Sequence, residues 1–274
     1  MSYSKFKVLL FLTMILIFGN LTVFALHFPS DKTVIVLGTF DYPPLMIKES
    51  QMQSGKKNIE FNQRQGIGVD FLKQAFSKHN EYELKINFYP SKRAMHEFSI
   101  GEVDIFLGSR MDLPDILNDI IPIKLLPLKS VLFCLPENCA IANNQKKDDK
   151  FGTISSIPGS PVNEILIKNG NQVYIQEKLE RTFKFLLAKR ADYVAAIDFS
   201  GHYMLQTMSY PGLDKIEQVD FDLLEIPYDA VIRKDNKYAA IISKIIYDEL
   251  QNTDFKFMPK EIVEQYLKLL NGPH

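Results

Sequence analysis

From Val34 onward, runs with the two-residue period of a strand and runs with the 3.6-residue period of a helix alternate along the chain, and this alternation narrows the fold more than any other feature. Val34–Thr39 is a β-branched apolar run closed by Asp41-Tyr42-Pro43-Pro44, where two prolines end ladder pairing. A polar stretch from Lys48 to Gln65 reads as an exposed hairpin or loop. Gly66-Ile67-Gly68 then leads into Val69, Leu72, Ala75 and Phe76, which share one helical face through about His79. Leu84–Tyr89 has strand alternation. Pro90-Ser91 opens a helix whose buried face is Ala94, Met95 and Phe98 and which stops at Gly101, and Val103–Leu107 is the next strand. Helical stretches of this length between strands imply right-handed crossovers and a mainly parallel sheet.

The pattern restarts after a loop rich in Asp and Pro. Ser130–Leu135 reads as a strand, Lys146–Lys150 as a solvated charge run, and Phe151–Ser155 as a strand that ends at Ile157-Pro158-Gly159-Ser160-Pro161. Ser160 has the side chain of an N-cap and Pro161 the fixed φ of a first helical position, which predicts a helix over Pro161–Lys168. Strands at Gln172–Ile175 and Tyr193–Ile197 flank a helix at Lys178–Ala188. A strand at Asp229–Arg233, a helix through about Gln251 and a last helix over Pro259–Leu270 complete the chain. Two α/β units of similar size, entered near Ser130 and left near Asp229, describe two lobes joined by two crossing segments. A ligand then belongs between the lobes, outside the carboxyl ends of the strands.

A length of 274 residues suits two such units, and 46% hydrophobic with 24% charged residues is the balance of a globular chain. Lys plus Arg (32) nearly equals Asp plus Glu (33), so no basic excess points to nucleic acid. The five histidines show neither H-x-x-x-H nor H-E-x-x-H spacing. No G-x-S-x-G elbow occurs, and the two cysteines cannot make a zinc finger, so no metal, cofactor or hydrolytic site is expected.

The N-terminus reads as an export signal. Lys5 and Lys7 precede an apolar run from Val8 to Phe18, and Val23-Phe24-Ala25 places small or aliphatic residues at the −3 and −1 positions of a cleavage site. The alternative, an uncleaved anchor, would need about 20 apolar residues. Residues 1–25 are therefore expected to be removed, and with no cysteine near Ala25 for lipid attachment a periplasmic location follows. In that oxidising compartment Cys134 and Cys139, flanking the turn-like Leu135-Pro136-Glu137-Asn138, are expected to pair. So short a loop would fix a local turn more than it stabilises the fold.

Five motifs in order carry a family resemblance: Tyr42-Pro43-Pro44, Gly66-Ile67-Gly68-Val69-Asp70, Gly101-Glu102-Val103-Asp104-Ile105, the Gly159-Ser160 turn, and Ala191-Asp192-Tyr193-Val194-Ala195-Ala196-Ile197-Asp198. Behind a signal segment, they resemble bacterial extracellular solute-binding proteins of family 3, the periplasmic receptors of polar amino-acid ABC transporters. The resemblance covers residues 31–270. It implies an α/β, two-lobed periplasmic-binding-protein fold of type II, with lobe one at 31–129 plus 228–274 and lobe two at 130–227. It further implies a monomer that closes on a small polar or charged solute, an amino acid or related carboxylate, without cofactor or catalysis. The membrane partner would be an ABC permease or a sensor protein. Two rival roles on the same fold are a periplasmic dehydratase and a ligand-sensing partner of a membrane signalling protein.

The resemblance also nominates site residues. The family's acid for an α-amino group corresponds to Asp198, which could equally cap the helix after it. Ser160 matches the turn whose following helix N-terminus meets an anionic ligand group, or it is simply an ordinary cap. Tyr42 matches an aromatic that stacks on ligand, a role it could exchange for packing. The family's carboxylate-gripping Arg comes from a Thr-Pro-Glu-Arg pattern. Here Gly108 is followed by Ser109-Arg110-Met111-Asp112-Leu113-Pro114-Asp115, with an Asp where the Arg should be. Arg110 and Arg93 are the candidates to replace it, unless each is a surface Arg paired with Asp112 or Glu97.

Overall fold

The computed structural model describes residues 32–48, 65–219 and 222–252. The expected signal segment at 1–25, most of the polar stretch between Lys48 and Gln65, and the helix expected over Pro259–Leu270 lie outside the described residues.

The strands are β1 (Thr33–Thr39), β2 (Tyr82–Phe88), β3 (Ile105–Gly108), β4 (Ile120–Cys134), β5 (Thr153–Ser156), β6 (Gln172–Ile175), β7 (Tyr193–Ile197), β8 (Glu217–Gln218) and β9 (Leu224–Arg233). They form one nine-stranded sheet in the order β2-β1-β3-β9-β4-β7-β5-β6, with β8 added beside β4. The helices are α1 (Ile67–Ser77), α2 (Ser91–Ser99), α3 (Pro136–Ala142), α4 (Val162–Lys168), α5 (Leu179–Leu187), α6 (Asp198–Thr207) and α7 (Ala239–Asn252).

The parallel arrangement expected of each half is present: β1 runs parallel to β3, and β5 runs parallel to both β6 and β7. Between the halves lie the two crossing strands. β9 pairs antiparallel with β3 and with β4, and β4 pairs antiparallel with β7. These crossing strands are longer than the sequence pattern indicates. β4 begins at Ile120 rather than Ser130, and β9 at Leu224 rather than Asp229. Prolines hid them, because Pro122, Pro127 and Pro227 read as strand breakers. Each lies where its strand has a ladder partner on one side only. β7 joins β4 only at Ser130–Cys134, and β3 joins β9 only at Asp229–Ile232, while Pro127 faces Pro227 across the β4–β9 pair. An imino nitrogen directed away from the single partner forfeits no ladder bond.

Two of the motifs prove to be strand ties. Asp104 accepts the backbone N–H of Val36 in β1 at 2.8 Å, and Asp192 accepts that of Thr153 in β5 at 3.0 Å. Each acid stands just before a strand and locks it to its parallel neighbour, once in each half.

The core follows the sheet. Ile35, Leu37, Val69, Leu72, Ile105, Leu107, Ile242 and Ile246 are buried together around the β1–β3 half. Leu132, Ile154, Val162, Leu166 and Tyr193 form a separate buried group on the other half. Cys134 and Cys139 belong to that second group and are disulfide-bonded, with Cα atoms 5.5 Å apart. The connecting residues are the first turn of α3 rather than a non-helical turn, with Pro136 opening the helix. At Ser160 the structure corrects the capping expectation. α4 starts at Val162 with Pro161 in the cap position and no side-chain cap bond, and Ser160 contributes its carbonyl, which accepts the Asn163 N–H at 3.0 Å.

Candidate functional site

The carboxyl ends of β1, β3, β5 and β7 converge on one cavity of about 70 Å³. Phe40, Tyr42, Leu45 and Met46 reach it from the segment after β1, and Gly108, Ser109 and Asp112 from the segment after β3. Ser91 and Met95 come from α2, Leu128 from β4, and Ile226 and Tyr228 from β9. Ile157–Pro161, after β5, and Ile197, at the end of β7, close the opposite wall.

Local packing explains how these groups are held. The Tyr42–Ile47 segment folds back on itself and is pinned by the start of α1, where Ile67 and Gly68 donate their N–H groups to the carbonyls of Pro44 and Leu45. Gly66 has φ +99°, and a Cβ there would come within 2.5 Å of the Leu45 carbonyl oxygen. At Gly68 an added Cβ would lie 2.1 Å from the Tyr228 hydroxyl, which sits 3.0 Å from Met46 Sδ. The Gly66-Ile67-Gly68 motif therefore makes room for a cavity-lining tyrosine.

Of the residues nominated from sequence, the structure brings Tyr42 and Ser160 to the cavity. Tyr42 is buried, and its hydroxyl accepts the Ile197 N–H at 3.4 Å, a bond between the wall after β1 and the wall after β7. Burial pushes its phenol up to about 12, so it remains neutral. The remaining three lie outside the lining. Asp198 is the first residue of α6, with Ile197 in the cap position and no side-chain cap bond, so it is not the cap either; its carboxylate accepts the Phe199 N–H at 2.6 Å, and burial raises its pKa. Arg93 is exposed, ion-paired to Glu97 at 3.0 Å, with its guanidinium 5.3 Å from the Tyr89 ring centre. Arg110 pairs with Asp229, not with Asp112: its Nε lies 3.7 Å from Asp229 Oδ2, and its backbone N–H donates to the same oxygen at 3.3 Å.

The acidic side chain that lines the cavity is Asp112, at the position where the resemblance puts an arginine. Its Oδ2 accepts the Ser109 N–H at 3.4 Å, and Ser109 Oγ accepts the Met111 N–H at 3.1 Å, a capping box over the 3₁₀ turn at Arg110–Asp112. Its Oδ1 is enclosed with no hydrogen-bond partner among the described residues. Burial, helped by the charge on Asp229, raises the Asp112 carboxyl to about 7 against the opposing Ser109 hydrogen bond. Asp229 is fully buried, and its pKa is likewise raised by burial against the pull of Arg110. Arg110 is thus engaged by Asp229 alone, and the lining residues include no Lys, Arg or His among the described residues. Tyr228, Met46 and Met95 were not nominated. Tyr228 stands one residue before the strand as read from sequence, and the two methionines carry no local signal beyond hydrophobicity.

No protein-family model matches the chain, and no curated protein matches it. Solved structures do. The GluR0 ligand-binding core in complex with L-glutamate superposes with a TM-score of 0.66 at 14% identity, covering 87% of this chain and 100% of that one. The amino-acid ABC transporter substrate-binding protein AbpA from Streptococcus pneumoniae, bound to L-arginine, gives 0.64 at 13% identity over 88% and 97% of the two chains. The ancestral amino-acid-binding protein AncCDT-1, a precursor of cyclohexadienyl dehydratase, gives 0.61 at 16% over 86% and 96%. The chain has the two-lobed periplasmic-binding-protein fold. Among the described residues, no helix is long and apolar enough to cross a membrane.

Proposed function

We propose that this protein is a periplasmic solute-binding protein. Residues 31–129 with 228–274 form one lobe and 130–227 the other, and they close on a small solute that is delivered to a membrane partner. The observation that carries the reading is the cavity itself: its walls come from the strand ends of both halves of the sheet, and the Tyr42–Ile197 bond joins the two walls. Such a design converts occupancy into a change of lobe orientation, with the ligand supplying the differential affinity for the closed state. The sequence at 1–25 supports export with cleavage after Ala25, and the monomer needs no cofactor for this mechanism. The partner is an ABC permease in uptake, as for the transporter proteins that share the fold, or a membrane sensor if closure is read as a signal.

The test is a thermal-shift screen of the exported protein across amino acids, small carboxylates, opines and amines, followed by small-angle scattering with any hit. A ligand at a hundred times its Kd adds about 2.7 kcal/mol to the stability of the folded state. A shifted Tm with compaction on binding is the expected result, and no response anywhere in the panel would overturn the assignment. The dehydratase reading rests on Asp112, since a cavity carboxyl near neutrality suits proton transfer. Turnover of a prephenate-like acid by the purified protein would favour it.

A further inference from the structure

The polar chemistry of the cavity is unsuited to an anion. An incoming carboxylate would have to be desolvated beside Asp112, whose Oδ1 is enclosed without a partner, and near buried Asp229. Arg110, two residues before Asp112, is already engaged with Asp229 and contributes no lining atom. The rest of the wall has the groups that accommodate a cation with an apolar body. Phe40, Tyr42 and Tyr228 present aromatic rings, and Met46 and Met95 supply soft apolar surface. We propose that the cavity takes a small organic cation lacking a carboxylate, a short alkylamine or a methylated ammonium, with its charge on Asp112 and its body among Phe40, Tyr42 and Tyr228. This deepens the solute-binding reading and rests on it. Size agrees: an apolar cavity of about 150 Å³ holds a benzene, so one of about 70 Å³ suits a headgroup of few heavy atoms.

Charge balance gives the reason for the selectivity. Arg110 is engaged with Asp229, so an ionised Asp112 has no cationic partner among the lining residues, and a bound ammonium supplies one.

Matched pairs that differ in the carboxylate decide the matter. Isobutylamine is compared with valine and with isovalerate, and tetramethylammonium with glycine betaine, by titration calorimetry and thermal shift on the exported protein. The cations are expected to bind at least tenfold more tightly than their carboxylate-bearing twins. Equal or tighter binding of valine, isovalerate or betaine would overturn the inference while leaving the solute-binding reading intact. Binding of neither arm would also overturn it, and the broad screen would then judge the solute-binding reading separately. Asp112→Asn, which keeps the shape and removes the charge, is expected to weaken the cations at least tenfold. Wild-type affinity in that variant would remove Asp112 from the site. Should the variant fold poorly, the wild-type pH dependence serves instead. Cation affinity should rise between pH 6 and 8 as Asp112 ionises; the other groups facing it are Arg110 beside it and Asp229 on β9, which are paired with each other, Tyr42 after β1, a neutral phenol, and Tyr228 on β9. A flat profile would overturn the assignment.

Discussion

Asp112→Asn should stabilise the unliganded protein, and should do so increasingly as pH rises. A carboxyl whose native pKa lies above its unfolded value binds more protons when folded, so stability falls as pH climbs between the two values. For Asp112 the interval runs from the ordinary 3.8 to about 7. Each unit is worth about 1.4 kcal/mol, so the full interval corresponds to about 4 kcal/mol. Partial solvent access lowers this to roughly 2–4 kcal/mol at pH 8. Most of the change should fall between pH 5 and pH 7. Asparagine is nearly isosteric and can still accept the Ser109 N–H, so little else changes. Urea denaturation of wild type and variant at pH 5, 6, 7 and 8 measures the difference directly. Taking that difference cancels the other raised acids Asp41 and Asp198, which are common to both proteins, while Asp229, whose charge helps raise Asp112, contributes to the difference together with it. A stability gain that does not grow with pH, or a loss at pH 8, would refute the claim that Asp112 is a strained, enclosed charge. The gain would be the ordinary signature of a binding group held at a cost to stability.

Three further outcomes are expected. Arg110→Ala removes the counter-charge of fully buried Asp229 and should destabilise the unliganded protein by about 1–3 kcal/mol, a figure tempered by the partial exposure of Arg110; unchanged denaturation midpoints would show that the pair contributes nothing. Gly68→Ala drives a methyl into the Tyr228 hydroxyl and should cost about 1–3 kcal/mol while displacing the cavity wall, so an unaltered Tm together with unaltered ligand affinity would contradict the packing described. Peptide mapping of exported protein without reductant should recover Cys134 and Cys139 only as a linked pair, and alkylation of either residue before reduction would contradict the bond.

What the sequence determined by itself was local. Strand and helix periods are properties of neighbouring residues, so the order of elements followed from pattern alone. The pairing of Cys134 with Cys139, five positions apart, was legible for the same reason. Tyr42 and Ser160 were reached through the family resemblance, on the segments that follow β1 and β5. The long starts of β4 and β9 were not, because whether a proline breaks a strand depends on which side of it carries a partner, and that is a property of the assembled sheet. The tertiary structure alone decided the charge of the site. Arg110 and Asp229 are 119 positions apart, and their pairing leaves Asp112, two residues beyond Arg110, as the charged side chain facing the cavity. Tyr42 and Ile197 meet across 155 positions. Nothing in a local window states which of two neighbouring ionisable residues will find a distant partner and which will be left facing a ligand. That choice is made by burial, when the two halves of the sheet bring β3, β9 and the segment after β1 around one small volume.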